Sequence, residues 1–504
     1  MTKEENAKER EKPPAKYSLN SWRFHMSLLI LFALFTRTAL RIDMSMAVVC
    51  MVNSSYSEET NVLLNDTEES SKCGHLTQEE ASESGYNGDL PWTQTQVNRL
   101  FSANFYGILT SVWISGYISD KFDPKYVILT ATTISVTLTL LTPILSVASL
   151  WAIFGGRYIM GLAEGFTMPA IFAIASRWFP HSEVGSFAAI YTSGEQLGAI
   201  LTMPISSFLC ASETLGWPSI FYFFGMLGCL FMVLWFLFAT GSPDQNKYIS
   251  ELEKKYLQES IGMFHKKKPK GNAYKLILTS GAFWAATVSQ VSFSFSVVLM
   301  QVYLPLFLKQ ILRVSLKKNG LYVLLPFLTQ LFMKNITGNI GDFFKKKGSL
   351  TNTQAVKIFQ VLGNIGTGSC FLILALFIDC DTASLAIVVL AIYGCFVSCG
   401  VLGFYTALLS IAPRLSSSVS AISLFIGSLT HACVPSLVGL LNKSGTRAEW
   451  RNIWLAAVGI HCIAAIIFGI FGSADVQPWA KCSSDIKCKA SVRPKEVENN
   501  ESGL

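Results

Sequence analysis

With 504 residues, 51% hydrophobic content, 14% charged content and 35 phenylalanines, the chain is too apolar to be an ordinary soluble multidomain protein. Its net charge of +7 lies mostly in polar segments, where it orients membrane spans rather than recruiting nucleic acid. No Gly-x-Ser-x-Gly elbow, His-Glu-x-x-His helix or Gly-Lys-Ser/Thr loop occurs, so no enzyme, catalytic residue, metal or cofactor is expected.

Twelve apolar stretches are long enough to cross about 30 Å of hydrocarbon as helices. They lie near 25–52, 97–119, 126–147, 150–178, 184–210, 220–240, 282–308, 320–340, 355–378, 384–412, 416–441 and 452–472. The expected fold is an all-α membrane protein, with twelve transmembrane helices in two six-helix bundles. An even count puts both termini on one side, and the excess of Lys and Arg in the tails and even-numbered loops marks that side as cytoplasmic. Residues 1–24 then form a cytoplasmic tail, 25–240 the N-terminal bundle, 241–281 a cytoplasmic linker, 282–472 the C-terminal bundle and 473–504 a second cytoplasmic tail. The first apolar run is too long for a signal-peptide core and is expected to stay as the first span. Plasma membrane and endolysosomal or vesicular membranes both fit.

Trp22 closes the polar N-terminal tail where a headgroup-level anchor would sit. The first span holds Arg37 and Arg41, one turn apart on a common face, with Asp43 pointing elsewhere. Arginine stays protonated and offers a fork of donors, so this pair suits a carboxylate or phosphate. Whether Arg37 joins Arg41 on the ligand or pairs with another helix is left open. The outer loop 53–92 is acidic and carries sequons at Asn53 and Asn65, both on the side where glycosylation occurs. Asn65 lies farther from the membrane.

The second span ends in a Gly-x-x-x-Asp turn at Asp120, and the eighth ends in a similar turn at Asp342. An Asp at such a place is expected to cap a nearby helix and pair with Lys, locking one gate state. A second echo pairs GWPSIF, from Gly216, with EWRNIW, from Glu449. Weak repeats at corresponding places are the trace of a two-bundle transporter with a central site between its halves.

The fourth span contains GGRYIMGLAEGFTMPA, from Gly155. Arg157 and Glu164 are seven residues apart and so nearly share a face, with Gly161 between them. Charges at bilayer depth cost about 3 kcal/mol or more, and normally face a partner or a water-filled pathway. Glu195 in the fifth span and Lys334 in the eighth are further intramembrane charges, expected to form a pair that makes and breaks between the bundles. The lone span histidines His431 and His461 read as hydrogen-bonded packing residues, and the sequon at Asn335 falls inside a span. In the linker, HKKKPK from His265 fits the topological charge bias, with anionic-lipid binding as the sharper alternative.

Most of the twelve cysteines lie in spans, as small packing residues. Cys50, Cys73, Cys210 and Cys380 fall on the outer side, where a disulfide can form but its pairing cannot be assigned. Cys482 and Cys488 should stay reduced in the cytosol. The chain ends Ser502-Gly503-Leu504, a candidate ligand for a PDZ partner.

Several of these stretches together resemble the anion and cation symporters of the major facilitator superfamily, the group of sialin, the vesicular glutamate transporters and the type I sodium-phosphate cotransporters. The likeness is carried by ALRIDMSMAVVCMVN in the first span, the Gly-Tyr-Ile-Ser turn, RYIMGLAEGFTMPA in the fourth, and RWFP followed by Glu183. It continues through LGWPSIFYFFG, GLYVLLPFL, IAPR at Ile411 to Arg414 and ADVQPWA. The resemblance implies a twelve-span rocker with a central organic-anion site. By position, Arg41 matches the family's first-span substrate arginine, while Arg157 and Glu164 match its fourth-span arginine and proton-coupling carboxylate. Phe101 and Phe293 replace a histidine and an arginine of the vesicular glutamate transporters; Phe172 and Met160 replace a histidine and a glutamate of sialin. Val184 and Ser410 depart from the family's turn motifs. Neither glutamate nor sialic acid is therefore the expected cargo.

The reading that follows is a secondary active transporter for a small organic anion or phosphate, embedded in the lipid bilayer. Arg41, Arg37 and Arg157 form the expected substrate site, Glu164 the proton site released from Arg157 on protonation, and Asp120, Asp342, Glu195 and Lys334 the gates. Sodium coupling stays open beside proton coupling. The other classes are an anion channel-like conductance, separable by counterflow, and a non-transporting receptor or scaffold that uses the C-terminal tail.

Overall fold

The computed structural model describes residues 17–53, 84–86, 88–180, 183–212, 214–262, 273–347, 350–412 and 415–481; the side chains of Asp120 and Asp342 fall outside the described set. Twelve long helices occupy these segments. They are α1 Trp22–Met51, α2 Gln94–Lys121, α3 Pro124–Ala148, α4 Leu150–Trp178, α5 Val184–Cys210, α6 Pro218–Phe238, α7 Gly281–Gln310, α8 Leu316–Lys346, α9 Asn352–Leu376, α10 Ala383–Ser410, α11 Ser416–Leu441 and α12 Arg447–Phe471. The chain is an all-α multi-pass membrane protein. Among the described residues, nine of the twelve are long and apolar enough to cross a bilayer; α2, α5 and α8 have the length but hold no stretch that meets the same hydropathy and charge requirement.

Helix starts follow local chemistry. Thr93, Thr351 and Thr446 open α2, α9 and α12 with reciprocal capping boxes to Gln96, Gln354 and Glu449. Gly445 precedes the last of these at φ 74°, a left-handed conformation that favours glycine. Before α3, the capping carboxylate is Asp123, which accepts from the Lys125 amide at 2.9 Å with Pro124 in the first turn. Asp120, expected in such a role, lies inside the last turn of α2, and Asp342 lies within α8. Helix α8 continues beyond its apolar stretch to Lys346.

The two halves of the chain repeat one packing scheme. In the first, α1 packs on α5 and α6, and α3 and α4 pack on each other, with α2 on α4 and α3 on α6; in the second, the equivalent pairs are α7 with α11 and α12, α9 with α10, α8 with α10 and α9 with α12. The sets meet where α5 crosses α8, α2 crosses α11 and α1 meets α7. The three helices below that requirement, α2, α5 and α8, all take part in the junction, where polar side chains can meet protein instead of lipid. Close approach is built in at Gly161, where a Cβ would collide with the Asn104 carbonyl oxygen of α2.

Hydrogen bonds between the sets concentrate at the end remote from Trp22. There Asn98 Nδ2 donates to the Asn442 carbonyl (3.3 Å), Gln310 Nε2 to Gln94 Oε1 (3.1 Å) and the Leu316 amide to the Ser84 carbonyl (3.0 Å). At the same end a disulfide joins Cys50 to Cys210, resolving the pairing for two of the four cysteines expected on the outer side; Cys380 is also disulfide-bonded, and Cys73 lies outside the described residues.

At the Trp22 end, the linker helix Glu251–Gly262 seals the first set. The Glu253 carboxylate accepts from Ser21 Oγ (2.7 Å), the Trp22 amide (3.0 Å), the Arg23 amide (3.2 Å) and Arg23 Nε (2.8 Å), so it caps α1 from outside. Arg23 also reaches Glu183, ahead of α5, at 2.7 Å. Trp22 stacks on Tyr248 of the linker instead of standing as an isolated anchor. The HKKKPK cluster, Arg414, Cys482, Cys488 and the Ser502-Gly503-Leu504 tail lie outside the described residues.

Candidate functional site

A connected set of charges lies between α1, α4 and α5. Helical spacing stacks Arg37 and Arg41 on one face of α1. Glu164 of α4 meets both: its Oε1 stands 2.8 Å from Arg37 Nη2 and 3.1 Å from Arg41 Nη1. Arg37 Nη1 then reaches Glu195 of α5 at 3.1 Å. Arg41 Nη2 donates to Gln301 Oε1 at 2.9 Å, across to the π-helical turn Leu299–Tyr303 of α7. With its amide oriented to satisfy both neighbours, Asn104 of α2 donates to Glu164 Oε2 at 3.1 Å and accepts from the Gly161 amide at 3.3 Å.

Glu164 is 6% exposed and is the hub of this set, whereas Glu195 is 35% exposed. A cavity of about 20 Å³ adjoins the cluster, lined by Arg37, Arg41 and Glu164 together with Thr132 and Ser135 of α3. That is room for about one water. A larger ligand must displace a side chain or wait for the helices to part.

Arg157 takes no part in this cluster. It is buried against Asp43 of α1, with Nη2 3.2 Å from Asp43 Oδ1, Nη1 3.2 Å from the Leu40 carbonyl and the guanidinium 5.7 Å over the Phe221 ring. The expected release of Arg157 by protonation of Glu164 is thus corrected: Glu164 holds Arg37 and Arg41, and Arg157 holds Asp43. The seven-residue spacing put Arg157 and Glu164 on one face of α4, but both point at α1, whose charges fill the gap. Asp43 was read from the sequence only as pointing away from the face of Arg37 and Arg41; Gln301 and Asn104 gave no signal, being neutral amides whose role depends on helix packing.

The expected pair of Glu195 and Lys334 is not formed either. Lys334 Nζ donates to Thr192 Oγ1 at 2.7 Å, one turn before Glu195, and Glu195 is taken by Arg37. Guanidinium forks can bridge two carboxylates, so Arg37 serves Glu164 and Glu195 together. His461 Nε2 lies 2.6 Å from Ser296 Oγ, and the His431 ring lies 5.7 Å from Phe105. Phe101 packs edge-on against Tyr303, and Phe293 packs against Phe404. Asn53 follows α1, its amide donating to the Leu90 carbonyl at 3.0 Å; Asn65 lies outside the described residues.

Comparison with known proteins agrees with this architecture. Residues 28–435 match the family model described as Major Facilitator Superfamily. An uncharacterized transporter of Caenorhabditis elegans, slc-17.3, is 31% identical over 95% of this chain and 93% of its own length. Human sialin is 30% identical over 91% of each chain. Among solved structures, a bacterial homologue of the human lysosomal transporter Spinster, inward-facing and unoccupied, superimposes with a TM-score of 0.62, at 14% identity over 90% of this chain and 97% of that one.

Proposed function

Since the chain belongs to the major facilitator superfamily and is a secondary active transporter rather than an enzyme, we propose that it carries a small organic anion, or inorganic phosphate, by proton-coupled alternating access. The observation that carries the reading is that Glu164 occupies the forks of both Arg37 and Arg41. A carboxylate in that position does what a bound anion would do. Protonating it removes one negative charge, loosens both guanidinium groups and leaves room for the charge of a substrate carboxylate or phosphate. Glu195 continues to hold Arg37, so Arg41 is the group left free for the substrate. The Gln301 contact of Arg41 reaches α7, so an anion that draws Arg41 away also loosens a tie between the two sets of helices.

In this reading all twelve long helices cross the membrane, as bundles 25–240 and 282–472 joined by linker 241–281, and both termini are cytoplasmic. The repeated packing scheme supports the division. The Cys50–Cys210 disulfide at the end remote from Trp22 supports the orientation, since disulfides persist on the oxidising side. The hydrogen bonds concentrated at that end fit a carrier closed to the outside. Arg157 and Asp43 hold α4 to α1, which sets the spacing between Glu164 and its arginines.

The test is reconstitution of the full chain in liposomes with a panel of monocarboxylates, dicarboxylates and inorganic phosphate under imposed pH or sodium gradients. Saturable uptake that follows the pH gradient and shows counterflow is expected. Non-saturating flux without counterflow would instead indicate a conductance.

A further inference from the structure

The last seven residues of α7, Leu304–Gln310, read LPLFLKQ and place a lysine in an apolar run. Lys309 is 8% exposed. Its Nζ donates to the Val49 carbonyl of α1 at 2.8 Å and lies 4.8 Å from the centre of the Tyr86 ring. Among the described residues no carboxylate forms an ion pair with it, although Arg23, Arg37, Arg41 and Arg157 all have one. An ammonium carries three donors, of which one carbonyl satisfies one. Burying a charge without a counter-ion is costly, so the closed seam is held against the preference of this group for water or an anion.

The place of the contact matters as much as its chemistry. Three contacts step along one face of α1, a turn apart: Arg41 with Gln301, Ser45 Oγ with the Val302 carbonyl (2.6 Å), and the Val49 carbonyl with Lys309. This face is the seam between α1 and α7. Two turns of helix separate Arg41 from the level of Lys309, about 12 Å. Beside Val49, Cys50 is fastened to α5 by its disulfide, so the acceptor stays with the first set of helices while the donor belongs to the second. Parting the sets at this end breaks the bond and leaves the ammonium on the wall of the opening.

We propose that Lys309 is a second anion-binding residue, hidden while the outer seam is closed and presented to the transported anion when α1 and α7 separate. It receives the anion at the outer mouth and passes it along the seam to Arg41. The inference rests on the transport reading above, and its partner is the carboxylate or phosphate group of the cargo.

The experiment compares wild type, Lys309→Arg and Lys309→Met in proteoliposomes, with inorganic phosphate and lactate as probes offered from the outer and the inner face separately. Lys309→Met should raise the outer-face KM by about fivefold, the scale of one exposed charge contact, while the inner-face KM stays within about twofold. Lys309→Arg should restore the outer-face KM. Equal shifts at both faces, or an arginine variant as impaired as the methionine one, would overturn the proposal in favour of a packing role. A second measurement needs no transport of either probe: a membrane-impermeant amine reagent applied outside wild-type vesicles, read by mass spectrometry at Lys309. Labelling should occur and should slow about fivefold with phosphate or lactate present, compared with sucrose. No labelling, or no protection by either anion, rejects Lys309 as an anion site. Protection without uptake of either probe would uphold Lys309 while counting against these anions as cargo.

Discussion

Replacing Asp43 separates a strut from a substrate site. Asp43 is fully buried, and its Oδ1 is the carboxylate atom that Arg157 meets, at 3.2 Å from Nη2 and 3.3 Å from Nη1. Removing one partner of such a pair strands the other charge, which costs about 3–5 kcal/mol. Arg157 would keep the Leu40 carbonyl and the Phe221 ring. These offset about 1–2 kcal/mol, so Asp43→Ala should cost about 3 kcal/mol. Asp43→Asn retains an acceptor at Oδ1, and its amide nitrogen takes the place of Oδ2, which has no hydrogen-bond partner; its cost should be about 2 kcal/mol. Removing both charges with Asp43→Leu and Arg157→Met should return stability to within about 1 kcal/mol of wild type, because a buried pair replaced by apolar residues of similar volume is often neutral. Thermal unfolding in detergent gives the ranking, and liposome uptake shows whether the double variant still transports. A double variant no more stable than Asp43→Ala would refute the strut. One that is stable but has lost anion binding while Arg41 remains intact would return Arg157 to the substrate site.

Further outcomes follow from the same geometry. Glu253→Ala removes the acceptor of four hydrogen bonds at the start of α1 and should destabilise by about 3 kcal/mol, whereas the exposed Glu251→Ala should stay within about 0.5 kcal/mol of wild type. Equal unfolding temperatures for the two variants would show that the linker does not clasp the first helices. The charge exchange Glu195→Lys with Lys334→Glu should recover none of the transport lost in either single variant, because Arg37 is the partner of Glu195 and Thr192 that of Lys334. Recovery in the exchange would mean that another conformation brings the two together.

Helix positions were legible because each span must bury or expose about twenty apolar residues, and that requirement is written locally. The limits of α4, α5 and α11 coincide with the apolar stretches, and the largest departure is at α8, where a charged continuation remains helical. Intramembrane charges were equally conspicuous, since Arg37, Arg41, Asp43, Arg157, Glu164, Glu195 and Lys334 all interrupt apolar runs. Their pairing was not legible. It depends on the rotation of α1 against α4 and α5, which one-helix periodicity does not contain. Arg157 and Glu164 share a face of α4, yet each meets a different residue of α1. Neutral partners were harder still: Gln301 acts on Arg41 because a π-helical turn places it at the seam, and Asn104 acts on Glu164 because Gly161 lets α2 approach α4. The cap on α1 was invisible for a similar reason, since Glu253 lies 230 residues from Arg23 and only the folded linker brings them together.

The most direct test of the central claim is transport by Glu164→Gln. An amide at this place cannot carry a proton or compete as an anion for Arg37 and Arg41. The account predicts that accumulation driven by a pH gradient disappears while counterflow exchange of the same anion persists. Undiminished proton-driven accumulation in Glu164→Gln would contradict it.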